Sequence, residues 1–226
     1  MTQGTRPLVF LGPSLPETAA RRILPEAEYR PPARRGDLDA VDRAAFDEVL
    51  LIDGVMVYDH PPSPSEVYRL MQRRVRVVGA ASLGALRAVE LRKHGMEGVG
   101  WVVENYGSGL VTADDELVAR LDPRTGRAVT LFLINLRYAA VCLTEAGVLA
   151  AEQADRFLTA MAAVHFEQRT GAETRRLASA AGIAPEAADQ LMEARFDVKA
   201  LDAARALAGS RHASPLAAGL AEVGQQ

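Results

Sequence analysis

The chain contains short runs that are apolar at nearly every position and stop abruptly on turn residues. Pro7-Leu8-Val9-Phe10-Leu11 ends at Gly12-Pro13, Glu48-Val49-Leu50-Leu51-Ile52 ends at Asp53-Gly54, and Arg76-Val77-Val78 is closed by Gly79. A strand without a polar face must be covered on both sides, which is the condition of a parallel sheet between helix layers. The segments between the runs have helical spacing. They are Leu15 to Leu24, Asp37 to Ala45, Ser63 to Arg73 with Pro64 in its first turn, and Ser82 to Lys93, which ends before Gly95. A weaker strand, Ala27 to Arg30, is stopped by Pro31-Pro32. The expected fold is α/β, a Rossmann-like, mostly parallel sheet flanked by helices. Right-handed crossovers put the strand C-termini along one edge, where open α/β sheets bind ligands.

Composition divides the 226 residues in two. Of 40 alanines, 14 fall in residues 1–128 and 26 in 129–226, whereas ten of 12 prolines lie at or before Pro123. This predicts an α/β core domain over 1–128 and a helical C-terminal region over 129–226. In the latter, Leu133, Leu136, Ala140 and Leu143 share one face, and Phe157, Met161 and Val164 continue the pattern. Residues 97–128 are ambiguous: Gly98 to Val103 reads as a strand or a helix start, and Asp122 to Gly126 as a turn joining a hairpin. Pro215 onward reads as a frayed tail. A net charge of −3 argues against a nucleic-acid binder. The single cysteine, Cys142, excludes an internal disulfide and a multi-cysteine metal site, and reads as a packing residue. No apolar run has the length of a membrane span or a secretion signal, so a cytoplasmic protein is expected.

Chemistry concentrates in Gly79-Ala80-Ala81-Ser82-Leu83-Gly84-Ala85, which leaves a strand and opens a helix. Small residues permit a sharp turn and close approach by another molecule. N–H groups of the first helical turn are open to an anion. The segment approaches the G-x-S-x-G elbow, with Ala80 in the first glycine position. Two readings stand: Ser82 as a nucleophile, or Ser82 as an ordinary helix N-cap. Arg87 and Glu90 lie one turn apart on the same helix, as a surface pair or as an anion-binding group and its orienter. Asp53, at a strand end, and His60, in the following proline-rich loop, are candidate bases or, respectively, a turn residue and a solvated side chain. Asp114-Asp115-Glu116 reads as a solvated turn or a metal site, the former being favoured.

Taken together these segments resemble the core of TfuA-like proteins. The resemblance is carried by Val9-Phe10-Leu11-Gly12-Pro13-Ser14-Leu15, by Leu51-Ile52-Asp53-Gly54-Val55, by the run from Gly79 to Leu91, by Gly95 to Gly100, and by Asp114 to Val118. The run around Ser82 is its most specific part, and Leu83 stands where many relatives have methionine. The resemblance implies a role in peptide backbone thioamidation beside an ATP-dependent YcaO enzyme. It further implies sulfur supply by hydrolysis of a thiocarboxylate on the C-terminal glycine of a ThiS-like carrier. On that reading Ser82, Asp53, His60 and Glu90 are catalytic, Gly79, Ala80, Ala81, Gly84 and Arg87 bind substrate, and no cofactor or metal is expected. The alternative is a non-catalytic module that docks on or activates YcaO and its peptide substrate.

Overall fold

The computed structural model describes residues 5–57 and 59–214; the predicted tail from Pro215 lies outside them. Five strands, β1 (Arg6–Phe10), β2 (Glu28–Arg30), β3 (Phe46–Leu51), β4 (Arg76–Ala80) and β5 (Glu97–Val99), form one sheet. All pairings are parallel and the strand order is β2-β1-β3-β4-β5. The chain order reverses between β1 and β3, so the loops leaving these two strands diverge at a topological switch point. The α/β architecture is as the apolar runs predict.

Alternation along the strands feeds two cores. Leu8, Phe10, Val49, Leu51 and Val77 face α2 (Pro64–Gln72) and α3 (Leu83–Leu91) through Val67, Leu70, Ala88 and Leu91. Val9, Leu50, Ile52 and Ala80 face the other way, onto Ala20 and Leu24 around α1 (Glu17–Ile23) and onto Ala203, Ala206 and Leu207 of α9 (Val198–Ala208). α2 starts where the sequence predicts, with Pro64 in its first turn, and Ser63 caps it, its hydroxyl accepting from the Glu66 N–H while Glu66 accepts from the Ser63 N–H. Gly95 takes the left-handed conformation beyond α3, at φ 91°. The ambiguous stretch from Gly98 is both things in turn: β5 ends at Val99, Gly100 turns at φ 102°, and α4 (Trp101–Ser108) begins.

The predicted helix over Asp37–Ala45 is not formed; turns run through this stretch. Its carbonyls are used otherwise. The Arg73 guanidinium donates to the Leu38, Asp39 and Val41 oxygens, while the Asp37 and Asp42 carboxylates accept from the Arg34 and Ala44 N–H groups. Side-chain competition of this kind holds the backbone in turns.

The chain divides into two compact units, one built from the chain up to Thr112 together with the stretch from Lys199, the other from Ala113–Val198. The compositional boundary at 128 therefore falls inside the second unit, and the alanine-rich stretch ends with α9 (Val198–Ala208) back on the sheet. The second unit packs α5 (Leu133–Glu145), α6 (Ala151–Ala162), α7 (Gly171–Ala180) and α8 (Pro185–Gln190) around Leu136, Leu143, Phe157, Met161 and Leu177. Leu121 and Ala128 bridge antiparallel across the predicted Asp122–Gly126 turn. The acidic cluster is a set of ion-pair anchors. Glu116 accepts both bonds of the Arg137 fork, and the buried Arg169 donates to the Asp115 carboxylate and carbonyl. Among the described residues no acidic, histidine or cysteine group has the arrangement of a metal site, and no helix is long and apolar enough to cross a membrane.

One contact sets the seat of α3. A Cβ at Gly84 would overlap the Leu51 carbonyl oxygen, and one at Gly79 would overlap the Gly84 carbonyl. Helix and sheet therefore meet backbone to backbone. Gly84→Ala, a favourable change in an isolated helix, is expected here to destabilise the protein by about 1–3 kcal/mol or more, measured by urea denaturation.

Candidate functional site

β4 delivers its end to α3 through a turn of two residues, Ala81 and the N-cap Ser82. Ala81 has φ 62°, a left-handed conformation disfavoured for a residue with a Cβ. The Ser82 N–H closes the turn on the Ala80 carbonyl at 2.6 Å. The small residues predicted to make a sharp turn do so, with Ala80 and Ala81 fully buried. The Ser82 carbonyl already accepts from the Ala85 and Leu86 N–H groups, so Ser82 occupies the N-cap position. Its hydroxyl does not cap the helix. It accepts instead from Lys199 Nζ at 3.2 Å, and both side chains are buried. Of the two readings, simple capping leaves this hydroxyl unexplained.

Lys199 lies in the first turn of α9, 117 positions along the chain from Ser82. Sequence reasoning missed it, although a signal existed. The chain has only two lysines, Lys93 and Lys199, and otherwise uses arginine. Lys199 sits between Val198 and Ala200 in an apolar stretch, an expensive place for an ammonium without a purpose. Arginine cannot serve as a proton acceptor, whereas lysine can.

The other predicted residues hold different posts. Asp53 is buried at the switch point, and both its oxygens are engaged. One accepts from the Gly12 N–H at 2.8 Å and the Ser14 N–H at 3.1 Å, the other from the Ser14 hydroxyl at 2.7 Å. The carboxylate ties the loop after β1 to the end of β3. His60 is exposed. Its backbone N–H donates to the Asp59 carboxylate and its carbonyl accepts from the Arg35 N–H. Arg87 donates to the Pro62 carbonyl at 2.9 Å and to both Glu90 oxygens, at 3.0 and 2.8 Å. Glu90 pairs with Arg87 across one turn, and Arg87 fastens the loop before α2 to α3. Gly54 lies against Leu83, where any side chain would overlap the leucine.

The fold thus brings the Ser82 hydroxyl and the Lys199 amine together, with Asp53, Arg87 and Glu90 holding the surrounding loops. Cys142 lies on α5 in the second unit, and burial pushes its thiol up from the ordinary range. A protonated thiol is a poor nucleophile.

Two outcomes follow from these placements. Asp53→Asn replaces one acceptor by an NH₂ facing donors, so it is expected to cost about 1–3 kcal/mol of stability, read from the urea midpoint. Cys142→Ser is expected to fold with a wild-type melting transition, measured by circular dichroism; a large drop in that transition would overturn its placement as a partly buried packing residue.

The wider comparison agrees with this region of the chain. No curated protein matches the sequence significantly. A family profile described as TfuA-like protein matches residues 53–170, just over half the chain, a segment that includes Ser82 and leaves Lys199 outside it. With the Ser82 turn inside a match of that extent, the chain belongs to the TfuA-like family.

Proposed function

We propose that this protein hydrolyses the C-terminal thiocarboxylate of a ThiS-like sulfur carrier and so supplies sulfide to a YcaO enzyme. TfuA-like proteins are associated with thioamidation by YcaO enzymes, and membership brings that association to this chain at the level of the family. The finer reading rests on one observation, the buried contact between Lys199 Nζ and Ser82 Oγ at a strained strand-to-helix turn.

The chemistry runs as acyl transfer. Lys199 in its neutral form takes the hydroxyl proton as Ser82 Oγ attacks the thioacyl carbon. The N–H of Leu83, in the first helical position, has no acceptor within α3 and can receive the developing oxyanion. The carbon–sulfur bond breaks, the proton held by Lys199 passes to the departing sulfur, and hydrosulfide leaves. A water molecule, deprotonated by the same amine, then attacks the serine ester. The carrier departs with an ordinary carboxylate and Ser82 recovers its proton.

The test is sulfide release from a purified thiocarboxylated carrier. Ser82→Ala and Lys199→Ala are each expected to lower the rate by about 10²- to 10⁴-fold while retaining the wild-type melting transition. Wild-type rates in both variants would overturn the hydrolase and leave the non-catalytic docking role.

A further inference from the structure

We infer that Asp202 is the positioning residue that sets Lys199 against Ser82, an inference that rests on the reading of those two residues as the reacting pair. Lys199 and Asp202 are three apart on α9, and so share a face one turn from each other. Asp202 is buried, and its two oxygens fork onto the start of α4. One accepts from the Trp101 N–H at 2.9 Å, the other from the Val102 N–H at 2.8 Å. These are N–H groups of a first helical turn, which have no intrahelical acceptor and lie at the positive end of the helix dipole.

The seat is built for this carboxylate. Gly100, immediately before α4, has φ 102°, and a Cβ there would overlap the Asp202 carboxyl group. No other residue type at 100 permits the fork. The apolar contacts of α9 with this core are made by Ala203, Ala206 and Leu207, with Ala200 and Ala204 packed against it. Apolar packing of that kind is not directional and tolerates small slides along the helix axis. A two-pronged, charge-assisted hydrogen bond does not. Beyond the far end of α9, Ser210 and the Arg211 N–H are held on Glu48, while Asp202 anchors the helix one turn from Lys199. A helix rises by about 1.5 Å per residue, so a slide of half that amount already misplaces an amine set at 3.2 Å from its partner.

The anchor is also sensitive to pH. Burial pushes the Asp202 carboxyl up to about 6, against the lowering effect of the Val102 and Trp101 N–H groups and of Arg205 on its own helix; Glu104 on α4 adds to the rise. Below that pH one oxygen carries a proton and the fork loses its charge.

The experiment uses the full chain and a fluorophosphonate probe, with labelling of Ser82 followed by intact mass. Asp202→Ala is expected to slow labelling about tenfold or more, and to lower kcat for sulfide release with KM unchanged. Asp202→Asn, which keeps one acceptor, is expected to fall between Asp202→Ala and wild type at pH 8. The ratio of wild-type to Asp202→Asn labelling should then approach one below pH 6, where the wild-type carboxyl is itself protonated. Emission from Trp101, the single tryptophan, should titrate with a midpoint near pH 6 in the wild type and stay flat in Asp202→Asn. If Asp202→Ala fails to fold, the Asp202→Asn ratio decides. Equal labelling of wild type and Asp202→Asn at pH 8, or a ratio independent of pH, would overturn the positioning role. Lys199→Ala separates the two ideas: its labelling at the wild-type rate would overturn the reacting pair itself, whereas its loss alongside fully labelled Asp202 variants would overturn only Asp202.

Discussion

Everything around Ser82 depends on one close approach, that of the α3 backbone to the ends of β3 and β4. Gly84 and Gly79 leave no side chain between helix and sheet. The Gly84 N–H can therefore donate to the Ile52 carbonyl, and the helix starts immediately after the strand. That seat forces the connection into two residues, Ala81 in a left-handed conformation and the N-cap Ser82. Strain of this kind costs about 1–3 kcal/mol, and it persists because the packing on either side over-determines it. Its consequence is a hydroxyl placed at a helix N-terminus without being used as its cap.

Other interactions serve that arrangement. Asp53 gathers the loop after β1, and Arg87 gathers the loop before α2, so the loops that leave the C-terminal edge of the sheet are fixed by buried or half-buried charges. At the opposite end of the strands, Glu48 is buried with Arg76 and Ser210 as partners. This second polar cluster holds the segment that follows α9. The helix bearing Lys199 is thus tied near its start by Asp202 and beyond its end by Glu48, while alanines give it a close fit on the sheet.

Much of this was legible in local sequence, and the failures have physical causes. Apolar runs named the strands because burial on both faces leaves no polar position to disguise them. Ser63 and Gly95 marked a helix start and end because capping chemistry is local. The turn at Ser82 was readable from its small residues. The stretch over 37–45 misled because its carbonyls are claimed by Arg73, more than thirty positions away. At Asp53 the sequence left a base and a turn residue open, because nothing near it in the chain shows what its carboxylate meets. The donors that occupy it belong to another loop, brought there by the order of the strands.

Sequence alone determined the parallel α/β sheet, the sharp strand-to-helix turn and the identity of its serine, since each follows from residue size and polarity within a few positions. Only tertiary structure decided what that serine meets. Lys199 and Asp202 lie in an alanine-rich stretch whose local pattern says no more than helix, and the chain passes through the whole second unit between α4 and α9. Their partners are set by where α9 returns to the sheet. That return is driven by apolar burial, which brings the helix back, and completed by directional hydrogen bonds that fix its register, neither of which is written in the spacing of neighbouring residues.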